Sequence, residues 1–233
     1  MRIALFGYGK MGKMIEGLAV QRGHQISAKI DLGGKEIDFS SFDIAIDFST
    51  PDSAFQNITS CFKQGIPVIS GTTGWLEKFD EAVSICNEYQ SGFIYASNFS
   101  LGVNIFFALN EQLAKMMSGL EQYKVSMEEI HHTQKLDAPS GTAITLAEGI
   151  MAHTPYDNWK LDENGENIIS IHSKREGNVP GTHHIDYSSL VDSIEIKHTA
   201  HNREGFALGA VLAAEWLLGK KGVYTMKDVL NLN

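Results

Sequence analysis

A chain of 233 residues, 43% hydrophobic and 20% charged, has the makeup of an ordinary folded protein of one or two domains. Its 19 basic against 28 acidic residues leave a formal net charge of −9, which argues against general nucleic-acid or anionic-membrane binding. Residues 3–6 are too short a run for a signal-peptide core, and no stretch approaches the roughly 18 apolar residues of a membrane helix, so a cytoplasmic protein is expected.

In chain order, residues 2–6 are a run of strand formers ended by Gly7. From residue 11 to 20 the apolar spacing turns helical, with Gly23 as a stop. Residues 25–30 read as a second strand closing on Asp31, and after Gly33-Gly34 residues 44–48 read as a buried third. Ser49-Thr50-Pro51-Asp52 opens a helix with proline early, where its missing N–H matters little. Residues 67–70 give a fourth strand, then Gly71-Thr72-Thr73-Gly74 and another helix. Residues 93–96 give a fifth, ending at Ser97-Asn98-Phe99. Cys61 and Cys86 fall in helices of this region, lack metal or redox spacing, and read as small core residues. Strands and helices alternating in such short units imply a parallel sheet covered on both faces, with ligands at the carboxyl ends of the strands.

Near residue 100 the pattern changes. Residues 103–117 form a long helix with a bulky apolar face, and 123–130 alternate apolar and polar, setting Val125, Met127 and Glu129 at every second position. Residues 155–167, with Pro155, Asp157, Asn158, Asn164 and Gly165, read as an exposed loop or short connector. Residues 168–174, 182–188 and 193–198 read as further strands of an open mixed or antiparallel sheet. Residues 205–218 are a strongly apolar helix with a small side (Ala207, Gly209, Ala210, Ala213, Ala214) suited to packing back onto the first domain.

Two clusters carry chemistry. Gly7-Tyr8-Gly9-Lys10-Met11-Gly12 is a GxGxxG between strand and helix, where backbone can approach a pyrophosphate and helix N–H groups face its charge. Asp31 follows nineteen residues after Gly12, placed for ribose hydroxyls. The loops Gly71-Thr72-Thr73 and Ser97-Asn98-Phe99 lie at the same sheet edge, but taken alone are ordinary turns. The fold class expected is α/β: a Rossmann-type parallel-sheet domain from residues 1–100 plus 205–233, and an α+β substrate-binding domain from 101–204.

The second cluster runs from Glu129 to Ala143: Glu-Ile-His-His-Thr-Gln-Lys-Leu-Asp-Ala-Pro-Ser-Gly-Thr-Ala. Pro139-Ser140-Gly141-Thr142 opens a helix whose Gly141 and Thr142 amides make an anion site, and His131, His132 and Lys135 add a proton donor and positive charge. Zinc is a rival reading, but no cysteine or third ligand stands at a convincing spacing, and no metal is expected. A solvated basic turn beside an ordinary helix cap is the plainer alternative.

This run resembles the signature of the 4-hydroxy-tetrahydrodipicolinate reductase (dihydrodipicolinate reductase) family. Asp47-Phe48-Ser49-Thr50-Pro51, Gly71-Thr72-Thr73-Gly74, Asn98-Phe99-Ser100-Leu101-Gly102-Val103-Asn104, Arg175-Glu176-Gly177 through Gly181-Thr182-His183, Phe206-Ala207-Leu208-Gly209-Ala210 and Asp228-Val229-Leu230 are similar to further family blocks in the same order. The resemblance implies that His131 is the acid/base residue and Lys135 the proton donor, and that His132, Gly141 and Thr142 hold a dicarboxylate substrate. It implies that Gly7, Tyr8, Gly9, Lys10, Met11, Gly12, Asp31, Gly71, Thr72, Thr73, Ala96, Ser97, Asn98 and Phe99 line NADH or NADPH. A homotetramer built through the middle domain's sheet, which makes 101–204 the oligomerisation domain as well, and a place in the diaminopimelate route to lysine, are also implied. Asp31 favours free ribose hydroxyls and repels a 2′-phosphate, with Lys10 and Lys35 as possible offsets, so NADH is expected to serve at least as well as NADPH. Two rivals remain: another two-domain reductase, such as a sugar dehydrogenase or a semialdehyde dehydrogenase, the latter needing a crevice cysteine for thioester chemistry, and a nucleotide-sensing regulator, which needs a basic recognition helix.

Overall fold

The computed structural model describes residues 1–31 and 37–232, so Leu32, the Gly33-Gly34 break and Lys35 lie outside the described residues. The chain divides into two units, Met1–Leu101 with Glu204–Asn233, and Gly102–Arg203.

The first unit begins with β1 (Arg2–Phe6), α1 (Lys10–Gln21), β2 (Gln25–Ile30), β3 (Ile44–Asp47), α2 (Pro51–Phe62), β4 (Val68–Ser70), α3 (Phe79–Glu88) and β5 (Gly92–Tyr95). Alternation along the strands builds two cores. Ile3, Leu5, Ile44 and Ile46 face one side, while Ala4, Phe6 and Ala45 face the other. Each fully buried Ile, Leu or Phe contributes about 1.5–3 kcal/mol, so a one-residue slip of register would forfeit both cores together. Ala54, Ile58, Cys61 and Phe62 of α2, together with Ala82 and Cys86 of α3, cover the second side. Thr50 and Ser53 form a reciprocal cap at the start of α2, with Pro51 as its first residue.

The chain then enters the second unit through α4 (Leu101–Met117), β6 (Lys124–His131), α5 (Gly141–Met151), β7 (Asn158–Leu161), β8 (Ile168–Arg175), β9 (Gly181–Ser188) and β10 (Ser193–Ala200). The sheet order is β10-β9-β6-β8-β7. It is mixed: β6–β8 and β7–β8 are parallel, and β9 runs antiparallel to both β6 and β10. The exposed loop expected at 155–167 needs correction, because β7 lies inside it as an edge strand. Its four residues bond one neighbour only, so no buried alternation marks them in the sequence. Val125, Met127, Ile169, Ile171, Ile185 and Tyr187 pack under Phe106 and Ala114 of α4 and Leu146, Ala147 and Ile150 of α5. The Asn110 amide donates to the Leu146 carbonyl at 2.9 Å and ties the two helices together.

Returning to the first unit, the chain forms α6 (Glu204–Leu217), β11 (Gly222–Tyr224) and α7 (Met226–Leu230). Ala207, Ala210, Ala213 and Ala214 let α6 lie close on the Ile3 side of the sheet, beside Ile15 and Ala19 of α1. All pairings of the completed sheet, ordered β11-β5-β4-β3-β1-β2, are parallel. The strand order reverses at β1, with β2 on one side and β3 on the other. In open α/β sheets that reversal marks where ligands enter.

Candidate active site

At the carboxyl edge of the first sheet the predicted cofactor residues come together. The ladder continues past the strand ends, with Gly7 N–H donating to Ile30 O at 2.8 Å and Phe48 N–H to Phe6 O at 2.8 Å. Gly71 N–H donates to Asp47 O at 2.9 Å, and Ala96 N–H to Ser70 O at 3.1 Å. Asp31 therefore stands beside the glycine turn, directly after Ile30.

The three glycines of the turn do different work. Gly7 has φ +86°, and a Cβ there would lie 2.2 Å from Phe48 O. At Gly12 a Cβ would lie 2.4 Å from Gly7 O, so only glycine lets α1 sit against the turn. Gly9, the residue before α1, has no atom within 4 Å of such a position and leaves the helix end open. The first turn of α1 carries no acid, which suits an anion such as pyrophosphate.

Some predicted residues act from beneath. Thr72 is buried, its hydroxyl donating to Asp47 Oδ2 at 2.7 Å and accepting from Ser49 N–H at 2.9 Å, whereas Thr73 is exposed. Phe99 is in the core, 5.9 Å from the Phe48 ring, while Ser97 is exposed and Asn98 half-buried. Tyr8 is bonded through its hydroxyl to Glu16 and accepts from Lys29 Nζ at 2.9 Å. Lys10 is exposed at the first position of α1.

Asp47 is a residue that sequence reasoning did not assign to the site. Fully buried, its carboxyl accepts from Ser49 Oγ at 2.6 Å, Thr72 Oγ1 at 2.7 Å, Ser70 Oγ at 3.1 Å and Asn57 Nδ2 at 3.4 Å. Burial pushes its pKa up, and these uncharged donors only partly oppose that. It anchors the loops after β3 and β4 to each other.

In the second unit the alternation of β6 carries Val125 and Met127 into the core and then, on the same face, Glu129 and His131. Glu129 is 1% exposed. Its Oε2 meets His131 Nδ1, and its Oε1 accepts from Arg175 Nη2 at 2.9 Å and Ser140 N–H at 3.3 Å. Burial alone would raise this carboxyl, but the hydrogen bonds from His131 and Arg175 outweigh it and hold it down at about 2. Arg175 also reaches Asp137 O at 2.7 Å and Lys135 O at 3.4 Å, clamping the loop after β6. On that loop Lys135 Nζ donates to both oxygens of Asp137, at 2.8 and 2.7 Å.

Ser140 caps α5, its hydroxyl accepting from Ala143 N–H at 3.2 Å and lying 3.0 Å from His183 Nε2. The amides of Gly141 and Thr142, first in the helix, have no intrahelical carbonyl to bond. A Cβ on Gly141 would meet nothing within 4 Å, so that helix end is open. Burial pushes His183 down to about 3, with nearby His131 acting the same way, so His183 is neutral near pH 7. Its ring stands edge-on to His131 with centroids 5.2 Å apart. Gly181 leaves room for His131, since a Cβ there would lie 3.0 Å from His131 Nε2. Of the predicted substrate cluster, His131, Lys135 and the Gly141–Thr142 helix end are thus joined through Glu129 and Arg175, and His132 is half-buried on the same loop. Among the described residues no group of three or more His, Cys, Asp or Glu side chains is placed to hold a metal ion.

Glu129, Arg175 and His183 had no assigned part in the sequence reading. The one signal for Glu129 was an acid on the apolar face of an alternating strand.

Comparison with known proteins covers nearly the whole chain. Residues 1–99 match the family model described as dihydrodipicolinate reductase, N-terminus, and residues 102–230 the one described as dihydrodipicolinate reductase, C-terminus. A 4-hydroxy-tetrahydrodipicolinate reductase from Christiangramia forsetii is 58% identical, the match covering 99% of this chain and 98% of that protein. Another from Thermosipho africanus is 37% identical, with 99% and 98% covered. The solved structure of dipicolinate-bound dihydrodipicolinate reductase from Paenisporosarcina sp. TG-14 shares the fold, with a TM-score of 0.76, 23% identity and 97% of each chain covered.

Proposed function

The chain belongs to the dihydrodipicolinate reductase family, and we propose that it reduces 4-hydroxy-tetrahydrodipicolinate to tetrahydrodipicolinate with NADH or NADPH, in the diaminopimelate route to lysine. The observation that carries this reading is the joining, through Glu129, of His131 to the open start of α5, with Lys135 on the loop between them.

The Gly141 and Thr142 amides, aided by His132, hold a substrate carboxylate at the helix end. A reduced nicotinamide, when bound, supplies the hydride that reaches C4 of the unsaturated ring formed by loss of the 4-hydroxyl. His131 and Lys135 supply the proton that completes the reduction, and Asp137 holds the Lys135 ammonium in place. Gly7 to Gly12 and Asp31 hold pyrophosphate and ribose, Thr73, Ala96, Ser97 and Asn98 line the same edge, and Asp47, Thr72 and Phe99 support it.

Asp31 favours free ribose hydroxyls. Lys29, two residues earlier, is bonded to Glu16 and Tyr8 and is not at hand for a 2′-phosphate. NADH therefore serves at least as well as NADPH. The protein works as a cytoplasmic homotetramer assembled through the second unit's sheet. The face of that sheet opposite α4 and α5 carries Ser126, Glu128, Ile130, His184 and Asp186, and one Asp186 oxygen is buried with no partner among the described residues. No helix among the described residues is long and apolar enough to cross a membrane. A thioester mechanism is disfavoured because Cys61 and Cys86 are buried in α2 and α3, where burial pushes both thiols up, Cys86 to about 11.

Replacing Lys135 with alanine tests the assignment. Lys135→Ala should lower kcat at least about a hundredfold, the scale of a general acid, with cofactor affinity unchanged. Lys135→Arg should rescue little, because guanidinium holds its proton too tightly. Normal turnover in Lys135→Ala with loss of NADH binding would show that the cluster is not the catalytic site.

A further inference from the structure

We infer that Glu129 is the positioning residue of the site: its two oxygens fix which nitrogen of His131 carries the proton, while anchoring the helix end that receives the substrate. The inference rests on the reading of His131 as a proton-handling group.

The division of labour between the two oxygens carries the argument. Oε1 is taken by two donors that cannot accept, the Arg175 guanidinium at 2.9 Å and the Ser140 amide at 3.3 Å. Oε2 faces His131 Nδ1. Held between a guanidinium and a backbone N–H, Glu129 is ionised and can only accept. A neutral His131 must then carry its proton on Nδ1, which leaves Nε2 as the nitrogen that takes up and gives back a proton. Nε2 is the atom for which Gly181 leaves room, at 3.0 Å from the place a Cβ would take.

Four other groups face this ring or the carboxylate beneath it, the first being Ser173 of β8, opposite Glu129 in register, whose hydroxyl helps hold that carboxyl down. His183 on β9 is neutral and stands edge-on, so it adds no charge that would oppose a protonated His131. Arg175 on β8 is occupied with Glu129 and the carbonyls of Lys174, Lys135 and Asp137. Lys135 on the loop after β6 is paired with Asp137. Glu129 is thus the charged partner on the His131 ring, and it reaches all three working parts: His131 directly, the start of α5 through Ser140, and the Lys135 loop through Arg175. A solvent-facing acid could not fix a proton this firmly. With 1% exposure, water does not compete for its oxygens.

Glu129→Gln separates proton positioning from structural support. Arg175 and Ser140 both need an acceptor at the Oε1 position, so the glutamine carbonyl must point there and its NH2 must face His131 Nδ1. Nδ1 then becomes an acceptor and the proton moves to Nε2. Nitrogen-15 NMR of the imidazoles, in the full-length protein at a pH where His131 is neutral, should find the proton on Nδ1 in the wild type and on Nε2 in Glu129→Gln. In the same variant kcat should fall at least about tenfold. KM for the dicarboxylate should change less than about threefold, because the Ser140 contact is kept. A wild-type proton on Nε2 would overturn the inference without any variant. A folded Glu129→Gln whose kcat stays within twofold of the wild type would overturn it as well. Neither result bears on whether the wild type reduces its substrate, so this inference and the reductase reading fail separately.

Discussion

Two buried carboxylates stand near strand ends in the two units, and their surroundings push them in opposite directions. Asp47 in the first unit meets only hydroxyls and an amide, and its pKa is raised. Glu129 in the second meets a guanidinium and an imidazole, and its carboxyl is held at about 2. Burial opposes ionisation in both. Partner charge decides the outcome, at comparable depth and with similar hydrogen-bond counts. In the first unit a carboxyl bonded to neutral groups ties two loops together. In the second an ionised carboxyl gathers charged and titratable side chains around it, which is what the proposed proton chemistry asks for.

The largest separation should come from neutralising each acid. Glu129→Leu leaves buried His131 and half-buried Arg175 without their partner and should destabilise the protein by about 3 kcal/mol. Asp47→Asn removes a charge that burial already opposes and keeps much of the polar network, so its effect should stay below about 1 kcal/mol. Urea unfolding monitored by far-UV circular dichroism would measure both. Equal losses would mean that partner charge is not what distinguishes the two sites.

Next in size is the helix end. Gly141→Val should raise KM for the dicarboxylate about tenfold or more and change kcat far less, since the carboxylate it displaces is bound throughout the reaction. Its Cβ meets nothing in the protein, so the melting temperature should move little. Steady-state kinetics showing a fall in kcat alone would move the anion site elsewhere.

The smallest effect is on acid stability. Below its ordinary pKa of 6.5 an unfolded histidine takes up a proton that folded His183, held at about 3, refuses, so stability falls as pH drops from about 6.5 to 3. Glu129 adds stability that is fully present above about 4.5 and is lost as pH falls through about 2. Asp47 has the reverse sign: its contribution declines as pH rises through its raised pKa. Melting temperature should therefore fall from pH 6.5 to 5 in the wild type and less steeply in His183→Gln. Parallel slopes would contradict a buried neutral His183.

The sequence made the first unit's site legible because its constraints are local. Gly7 and Gly12 are demanded by atoms of Phe48 and of the turn itself, and the motif spans six residues. The second site was half legible. Histidines, lysine and helix start lie within one run, but Arg175 lies 46 residues from Glu129, and His183 43 from Ser140, separations that no spacing rule connects. Thr72 and Phe99 could be placed at the carboxyl edge of the sheet from the sequence but not beneath its loops, since depth below a loop depends on what packs there. β7 escaped for a similar reason: its strand character comes from β8, not from its own residues.

The most direct test is the initial rate of NADH and NADPH oxidation by the wild-type protein, with freshly prepared 4-hydroxy-tetrahydrodipicolinate and with simple aldehydes. The predicted result is rapid oxidation with the cyclic dicarboxylate, NADH at least equal to NADPH, and none above background with aldehydes. Oxidation with aldehydes and none with the dicarboxylate would contradict the account, and a strong preference for NADPH would overturn the role given to Asp31.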